Sequence, residues 1–83
     1  MITYEQALKI AQSYMDGIDR CVEYPEVWMF CNSAHDEDEG GWYSPKVIRK
    51  ADGKRIPFVE FYMGRDYNMY SIREFKVEQI GEE

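Results

Sequence analysis

Histidine occurs once in this sequence, cysteine twice and proline three times. No apolar run approaches the roughly 18–20 residues that a membrane-spanning helix needs. The shortage of metal-binding residues excludes a zinc module. Such a site takes four Cys or His ligands, commonly in C-x-x-C pairs, and Cys21 and Cys31 fit no such spacing. Disulfides need an oxidising compartment. The opening Met1-Ile2-Thr3-Tyr4-Glu5 has neither the basic head nor the apolar stretch of a secretory signal, so both cysteines are expected as thiols in a cytoplasmic protein. Basic charge is scarce as well: ten Lys and Arg face sixteen Asp and Glu, for a net charge of −6. Residues 1–40 hold nine acids against two bases, and residues 41–83 hold seven acids against eight bases. Nucleic-acid binders need a basic stripe to displace counterions. The one cluster here, Lys46, Arg49, Lys50, Lys54 and Arg55, reads as an exposed strand pair kept soluble by its charges. No nucleic acid, membrane, metal or cofactor is therefore expected.

What the sequence does have is apolar and aromatic mass. Of its 83 residues, 45% are hydrophobic, with seven Tyr, four Phe and two Trp, far too many aromatics for a disordered tail. Without repeats, linkers or low-complexity stretches, residues 1–83 read as a single domain. A chain of this size buries only about 60–65% of its unfolded surface, which leaves little room for a deep, water-excluding pocket. No enzyme is expected, and no catalytic residue.

Thr3 and Gln6 have the spacing of a capping box. Ala7, Ile10, Ala11, Tyr14 and Ile18, widened by Leu8 and Met15, recur at helical spacing, which predicts an amphipathic helix over about residues 4–16 with Gly17 just past its end. A connection follows to Pro25, with room for a short strand at Cys21–Glu23. Residues 26–32 are apolar on both alternating faces, as in an interior strand covered on both sides. Asn32–Gly41 reads as an exposed acidic loop. Pro45 places a strand start nearby. Val47-Ile48-Arg49-Lys50 and Lys54-Arg55-Ile56 flank Asp52-Gly53 as a hairpin, the Asp-Gly supplying positive φ. Pro57–Gly64 suits either a short helical turn or a strand extension, and the turn fits better. A last strand is expected over about residues 72–79, although Ser71–Glu74 also resembles a capping box. The predicted fold class is α+β: an N-terminal amphipathic helix packed on a small, mostly antiparallel sheet of three to four strands.

His35 beside Asp36, Glu37, Asp38 and Glu39 is the nearest thing to a metal or acid–base site. Its spacing fails the calcium-loop pattern, and consecutive acids on a loop do not preorganise a cage. A Cys31–His35 nucleophile pair lacks a third group and an oxyanion donor. The aromatics divide into two sets. Trp28, Phe30, Phe58, Phe61 and Phe75 are expected in the core, while Trp42, Tyr43, Tyr62, Tyr67 and Tyr70 are harder to bury all at once and read either as rings covering the edges of the core or as an interface. Tyr and Trp are enriched at the energetic centres of interfaces. Trp42 and Tyr43 beside Asp36, Glu37, Asp38 and Glu39 would form an apolar anchor with a negative rim, suited to a basic protein partner.

Three strings together resemble a bacterial family: Met1-Ile2-Thr3-Tyr4-Glu5-Gln6-Ala7 opening a helix that ends in Tyr14-Met15, Gly41-Trp42 followed by Pro45-Lys46-Val47-Ile48-Arg49-Lys50, and Asp52-Gly53 leading into Lys54-Arg55-Ile56. The sequence looks like the YrhB-like immunity-protein family, small domains often found beside toxin genes of polymorphic toxin systems. The resemblance covers roughly the first two-thirds of the chain; the acidic insert and residues 58–70 do not follow it. It implies a helix, two strands and a strand–turn–strand unit, and inhibition by binding without chemistry. The expected function is occlusion of a cognate toxin, a basic toxin domain being the partner that fits, by a monomer or weak dimer. A chaperone-like or adaptor domain that binds exposed apolar segments is the alternative, ahead of a small enzyme.

Overall fold

The structure is a computed structural model that describes residues 1–33, 44–64 and 67–77. Helix α1 spans Tyr4–Gln12. Thr3 accepts a hydrogen bond from the Gln6 backbone N–H at 3.1 Å, and the Gln6 side chain accepts from the Thr3 N–H at 2.9 Å, closing the capping box that the sequence announces. The helix stops short of the predicted residue 16. Ser13 is its C-cap, and the Ser13 hydroxyl donates to the Ile10 carbonyl at 2.5 Å. The same carbonyl also accepts the Ser13 N–H at 3.1 Å, a three-residue bond that tightens the last turn. The chain keeps turning, with Met15 N–H on the Ala11 carbonyl, so Met15 and Ile18 still reach the core without being helical. Gly17 follows with φ +69°, several residues beyond the cap position expected of it.

Five antiparallel strands form one sheet: β1 Arg20–Glu23, β2 Val27–Cys31, β3 Lys46–Arg49, β4 Arg55–Ile56 and β5 Arg73–Lys76, in the order β4-β3-β2-β1-β5. This corrects the expected three to four. The additional member is β1, a four-residue strand where the sequence left room for a short one at Cys21–Glu23. β2 is the central strand and is buried on both sides, as its unbroken apolar run requires. The β3–β4 hairpin forms where Asp-Gly predicts it. Only Gly53 takes positive φ, at +77°, and Arg49 and Lys54 close a longer loop: Arg49 N–H meets the Lys54 carbonyl and Gly53 N–H meets the Arg49 carbonyl. Ser71–Glu74 does not become a helix. Ile72 N–H donates to the Glu23 carbonyl at 2.7 Å while Arg73 is Glu23's register partner. Two residues of the last segment therefore face one of β1, a bulge that starts β5.

Each face of the sheet has its own core. On one, Ala7, Ala11, Met15 and Ile18 pack with Cys21, Trp28, Phe30, Ile48 and Val77. The alanines let the α1 backbone approach the sheet closely. On the other, Phe61 of helix α2 (Phe58–Met63) packs with Val22, Tyr24, Val27, Val47 and Ile56. Pro57 is the N-cap residue of α2. The chain must travel from the β4 edge to the β5 edge opposite, and residues 57–64 and 67–72 lie along that crossing as a strap over the second face. Phe30, Phe61 and Trp28 are buried as expected, and Phe58 and Phe75 are half-buried against the two cores.

Candidate protein-interaction surface

A strap that crosses a small sheet can turn only one side inward. α2 is apolar nearly all round, with Glu60 as its one charged residue. Such a helix is ordinarily enclosed on all sides. Here only Phe61 is fully buried; its ring lies 5.2 Å from Tyr24 and 6.0 Å from Tyr67. Tyr62 stacks on Phe58 at 5.6 Å one turn away, and is itself 62% exposed. Val59 and Met63 are 66% and 70% exposed, and further along the strap Met69, Tyr70 and Ile72 are open to solvent, Tyr70 at 81%. Six of the eight large hydrophobic residues that the described structure exposes thus lie between residues 59 and 72. Scattered apolar side chains are ordinary on a protein surface; this concentration on one segment is not.

Tyr62 and Tyr70 belong to the aromatics that the sequence has in excess, and both are exposed. Tyr67 is not: it is half-buried in the second core, and its hydroxyl accepts from Arg49 Nη1 at 3.3 Å. Val59, Met63, Met69 and Ile72 escaped the sequence reading. The available signal was the lack of a polar side on residues 58–63. His35, Asp36, Glu37, Asp38, Glu39, Trp42 and Tyr43 lie outside the described residues. Their flanks are described: the chain leaves β2 at Ser33 and approaches β3 at Ser44. Because Phe30 pairs with Lys46 and Val47 with Ile56, these anchors lie at the end of the sheet from which α2 departs.

The five-cation cluster is not an exposed stripe. Lys46 is buried, its ammonium 3.4 Å from the Ser44 hydroxyl, and burial lowers its pKa, with Arg55 adding to the effect. Arg49 forms a two-pronged pair with Asp52, at 3.0 and 2.6 Å. That pairing, with a backbone bond from Lys54, holds the Asp52 carboxyl well below the usual range. Arg55 lies 4.8 Å from the centre of the Tyr14 ring, which leaves Tyr14 partly exposed where the helical stripe predicts a core residue. Lys50 and Arg55 lie on the α1 face of the sheet, whereas Arg49 lies on the other, beside Tyr67. These side chains divide between two faces, and four of them already have partners.

Glu23 gathers the remaining charge. Lys50 Nζ and Arg73 Nε each stand 2.7 Å from one of its carboxylate oxygens. Hydrogen bonding from Lys50, then from Arg73, lowers the Glu23 pKa against the opposing effect of burial. Lys50 also lies 5.0 Å from the Trp28 ring centroid, and Arg73 4.9 Å from that of Phe75. Tyr4 packs on Trp28, Phe30 and Phe75, and burial pushes its hydroxyl up to about 12. Burial likewise pushes the Cys21 thiol up to about 12. These three shifts favour the ordinary charge states at neutral pH, a carboxylate, a phenol and a thiol. General acid–base catalysts are tuned the other way, toward the operating pH. Both cysteines are free and buried. Register places Cys21 opposite Phe30 and Cys31 opposite Arg20, so the thiols point to opposite faces. Among the described residues no group of three or more His, Cys, Asp or Glu is placed to hold a metal ion, and no helix is long and apolar enough to cross a membrane. Comparison with family models, with curated proteins and with solved structures finds no match.

Proposed function

We propose that this protein is a non-enzymatic protein-binding domain, an immunity-type inhibitor that occludes a cognate bacterial toxin. The observation that carries the reading is the apolar strap: Tyr62 and Tyr70 with Val59, Met63, Met69 and Ile72 stand out into solvent on a segment whose inner side is anchored by Phe61. Large, preorganised aromatic and Met side chains form the centres of protein interfaces. The net charge of −6 supports a basic partner, and Asp36, Glu37, Asp38 and Glu39, near Trp42 and Tyr43 in the sequence, contribute four of its acids. A basic nuclease-type toxin suits such a surface, its carboxylates standing where phosphates would lie. The resemblance of the first two-thirds of the chain to YrhB-like immunity proteins agrees with this reading.

A chaperone-like or adaptor function is the second reading, favoured by the exposed Met63 and Met69, since flexible thioether side chains serve promiscuous apolar surfaces. Affinity capture from the native host, with elution in rising salt, separates the two. One partner released only at high salt supports the inhibitor, whereas many weakly held unfolded clients support the chaperone. Tyr62→Ser with Tyr70→Ser is expected to weaken capture at least tenfold while leaving the melting temperature nearly unchanged, since both rings are exposed. Phe61→Ala is the contrast. It empties the second core at a cost of about 3–5 kcal/mol, and any loss of binding there follows from unfolding. Undiminished capture by the double Tyr variant would refute the strap as the contact surface.

A further inference from the structure

The two edges of the sheet are unequal. β4 offers two residues, whereas β5 offers four, and no described residue pairs with its outer side. Ladder parity fixes which backbone groups face outward. Val77 N–H donates to the Asp19 carbonyl at 2.9 Å, in register with the β1–β5 pairing. Hydrogen-bonded pairs alternate along an antiparallel ladder, so Phe75–Cys21 and Arg73–Glu23 belong to the same set. Glu74 and Lys76 therefore turn their N–H and C=O groups away from β1. An edge left open by the described residues in this way is a template for another strand.

We infer that the protein forms a symmetric dimer in which β5 pairs antiparallel with β5 of a second copy, with Phe75 on the two-fold axis. In that register Glu74 of each copy stands opposite Lys76 of the other, and each such pair exchanges two backbone hydrogen bonds. The two Phe75 rings meet as a close non-hydrogen-bonded pair on the α1 side of the sheet. Charge selects the register. A shift of two residues either way would set Glu74 against Glu74 or Lys76 against Lys76, and like charges directly opposite are destabilising. Charged edges ordinarily deter pairing, but this one carries opposite charges at its two outward positions and is complementary to itself. Within one chain Lys76 faces the like-charged Arg20 across the ladder, and it makes no ion pair among the described residues, while Arg20 Nη1 donates to Glu74 at 2.6 Å. A second β5 brings a carboxylate beside Lys76. The half-buried Phe75, already packed on Tyr4 and capped by Arg73, gains an apolar neighbour.

Sedimentation equilibrium of the full chain from micromolar to millimolar concentration tests this. The wild type is expected to show a monomer–dimer equilibrium. Lys76→Glu keeps the fold, because the new carboxylate faces Arg20, yet it sets Glu against Glu at two places in the dimer. Its dissociation constant should rise on the order of 10- to 100-fold. The swap Glu74→Lys with Lys76→Glu restores complementarity and should return the constant to about the wild-type value. An equimolar mixture of the two single variants restores the same pairs, which keeps the test open if the double variant folds poorly. A wild type that stays monomeric to millimolar concentration overturns the proposal. So does a Lys76→Glu variant that dimerises like the wild type, or failure of both the swap and the mixture to recover association. None of these outcomes bears on toxin capture by the strap.

Discussion

Lys50 Nζ lies 2.7 Å from Glu23 Oε2, joining the β3–β4 hairpin to the end of β1 across the central strand β2. Both side chains are mostly withdrawn from water, at 12% and 15% exposure. The Lys50 ammonium crosses near the Trp28 ring, and Arg73 brings β5 to the same carboxylate. One carboxylate therefore ties three segments that sequence order keeps far apart. The ion cluster fixes the end of β1 to the hairpin and to β5 beside the buried Trp28.

Glu23 gives the fold an acid-sensitive joint. Its pKa is lower in the folded chain than the ordinary 4.5, because Lys50 and Arg73 donate to the carboxylate. The unfolded chain then takes up the proton first, so the contribution is present above about pH 4.5 and is lost as pH falls toward the folded pKa. The melting temperature is expected to drop from pH 5 to pH 3, and Glu23→Gln should flatten that drop. At pH 7 the same variant should cost about 1–3 kcal/mol, as expected for breaking charge-assisted bonds at a mostly buried site. A Glu23→Gln variant with the wild-type acid slope would remove Glu23 from this role.

How much of this was legible in the sequence depends on the range of the interaction concerned. Thr3 and Gln6 act over three residues and Asp52-Gly53 over two, so the start of α1 and the hairpin could be read directly. β2 could be read because a strand covered on both faces writes its burial into every position. The end of α1 could not, because the spacing of Met15 and Ile18 looks helical while Ser13 and Gly17 redirect the chain between them. The strap was half legible. Its aromatics stood out by number, but whether Tyr62 or Tyr67 was the exposed ring depended on which side of the strap turned inward. The basic cluster misled for the same reason: adjacent strand residues point to opposite faces, and a linear run of cations divides when it folds. The acidic stretch and Trp42–Tyr43, to which the sequence assigned the partner contact, lie outside the described residues.

Two glycines carry the turns at positive φ and differ in what surrounds them. At Gly53, φ +77°, an added Cβ would stand 3.1 Å from Ile10 Cδ1 and 3.3 Å from Ile2 Cδ1, both ends of movable side chains. Gly53→Ala should cost about 1–2 kcal/mol, chiefly from the left-handed backbone. At Gly17, φ +69°, the Cβ would lie 2.6 Å from Asn32 Nδ2, a buried amide that donates to the Asp16 carbonyl at 3.0 Å. Gly17→Ala should lose that bond as well, for a total of about 2–4 kcal/mol. Urea unfolding of both variants checks the order. Equal losses would show that Asn32 yields without cost.

Cys21 should behave as an inert thiol until the chain opens. It is fully buried under α1, and burial pushes its pKa to about 12 from an ordinary 9.0, with Cys31 and Glu23 adding to the effect. The thiolate is the reactive form, so iodoacetamide at pH 8 should label the native chain at least about 100-fold more slowly than the urea-unfolded chain, at a rate set by opening. The same shift makes stability alkali-sensitive. The folded pKa lies above the unfolded one, so the contribution is complete below pH 9.0 and declines as pH rises toward 12. Tyr4, raised to about 12 from 10.0, adds a similar decline that begins one pH unit higher. Melting temperatures between pH 8 and pH 12 separate the two residues. Cys21→Ala should lose the early part of the fall and Tyr4→Phe only the later part. Rapid labelling at Cys21 of the native chain, read in a Cys31→Ala background, would mean that α1 lifts from the sheet far more often than its packed alanines allow.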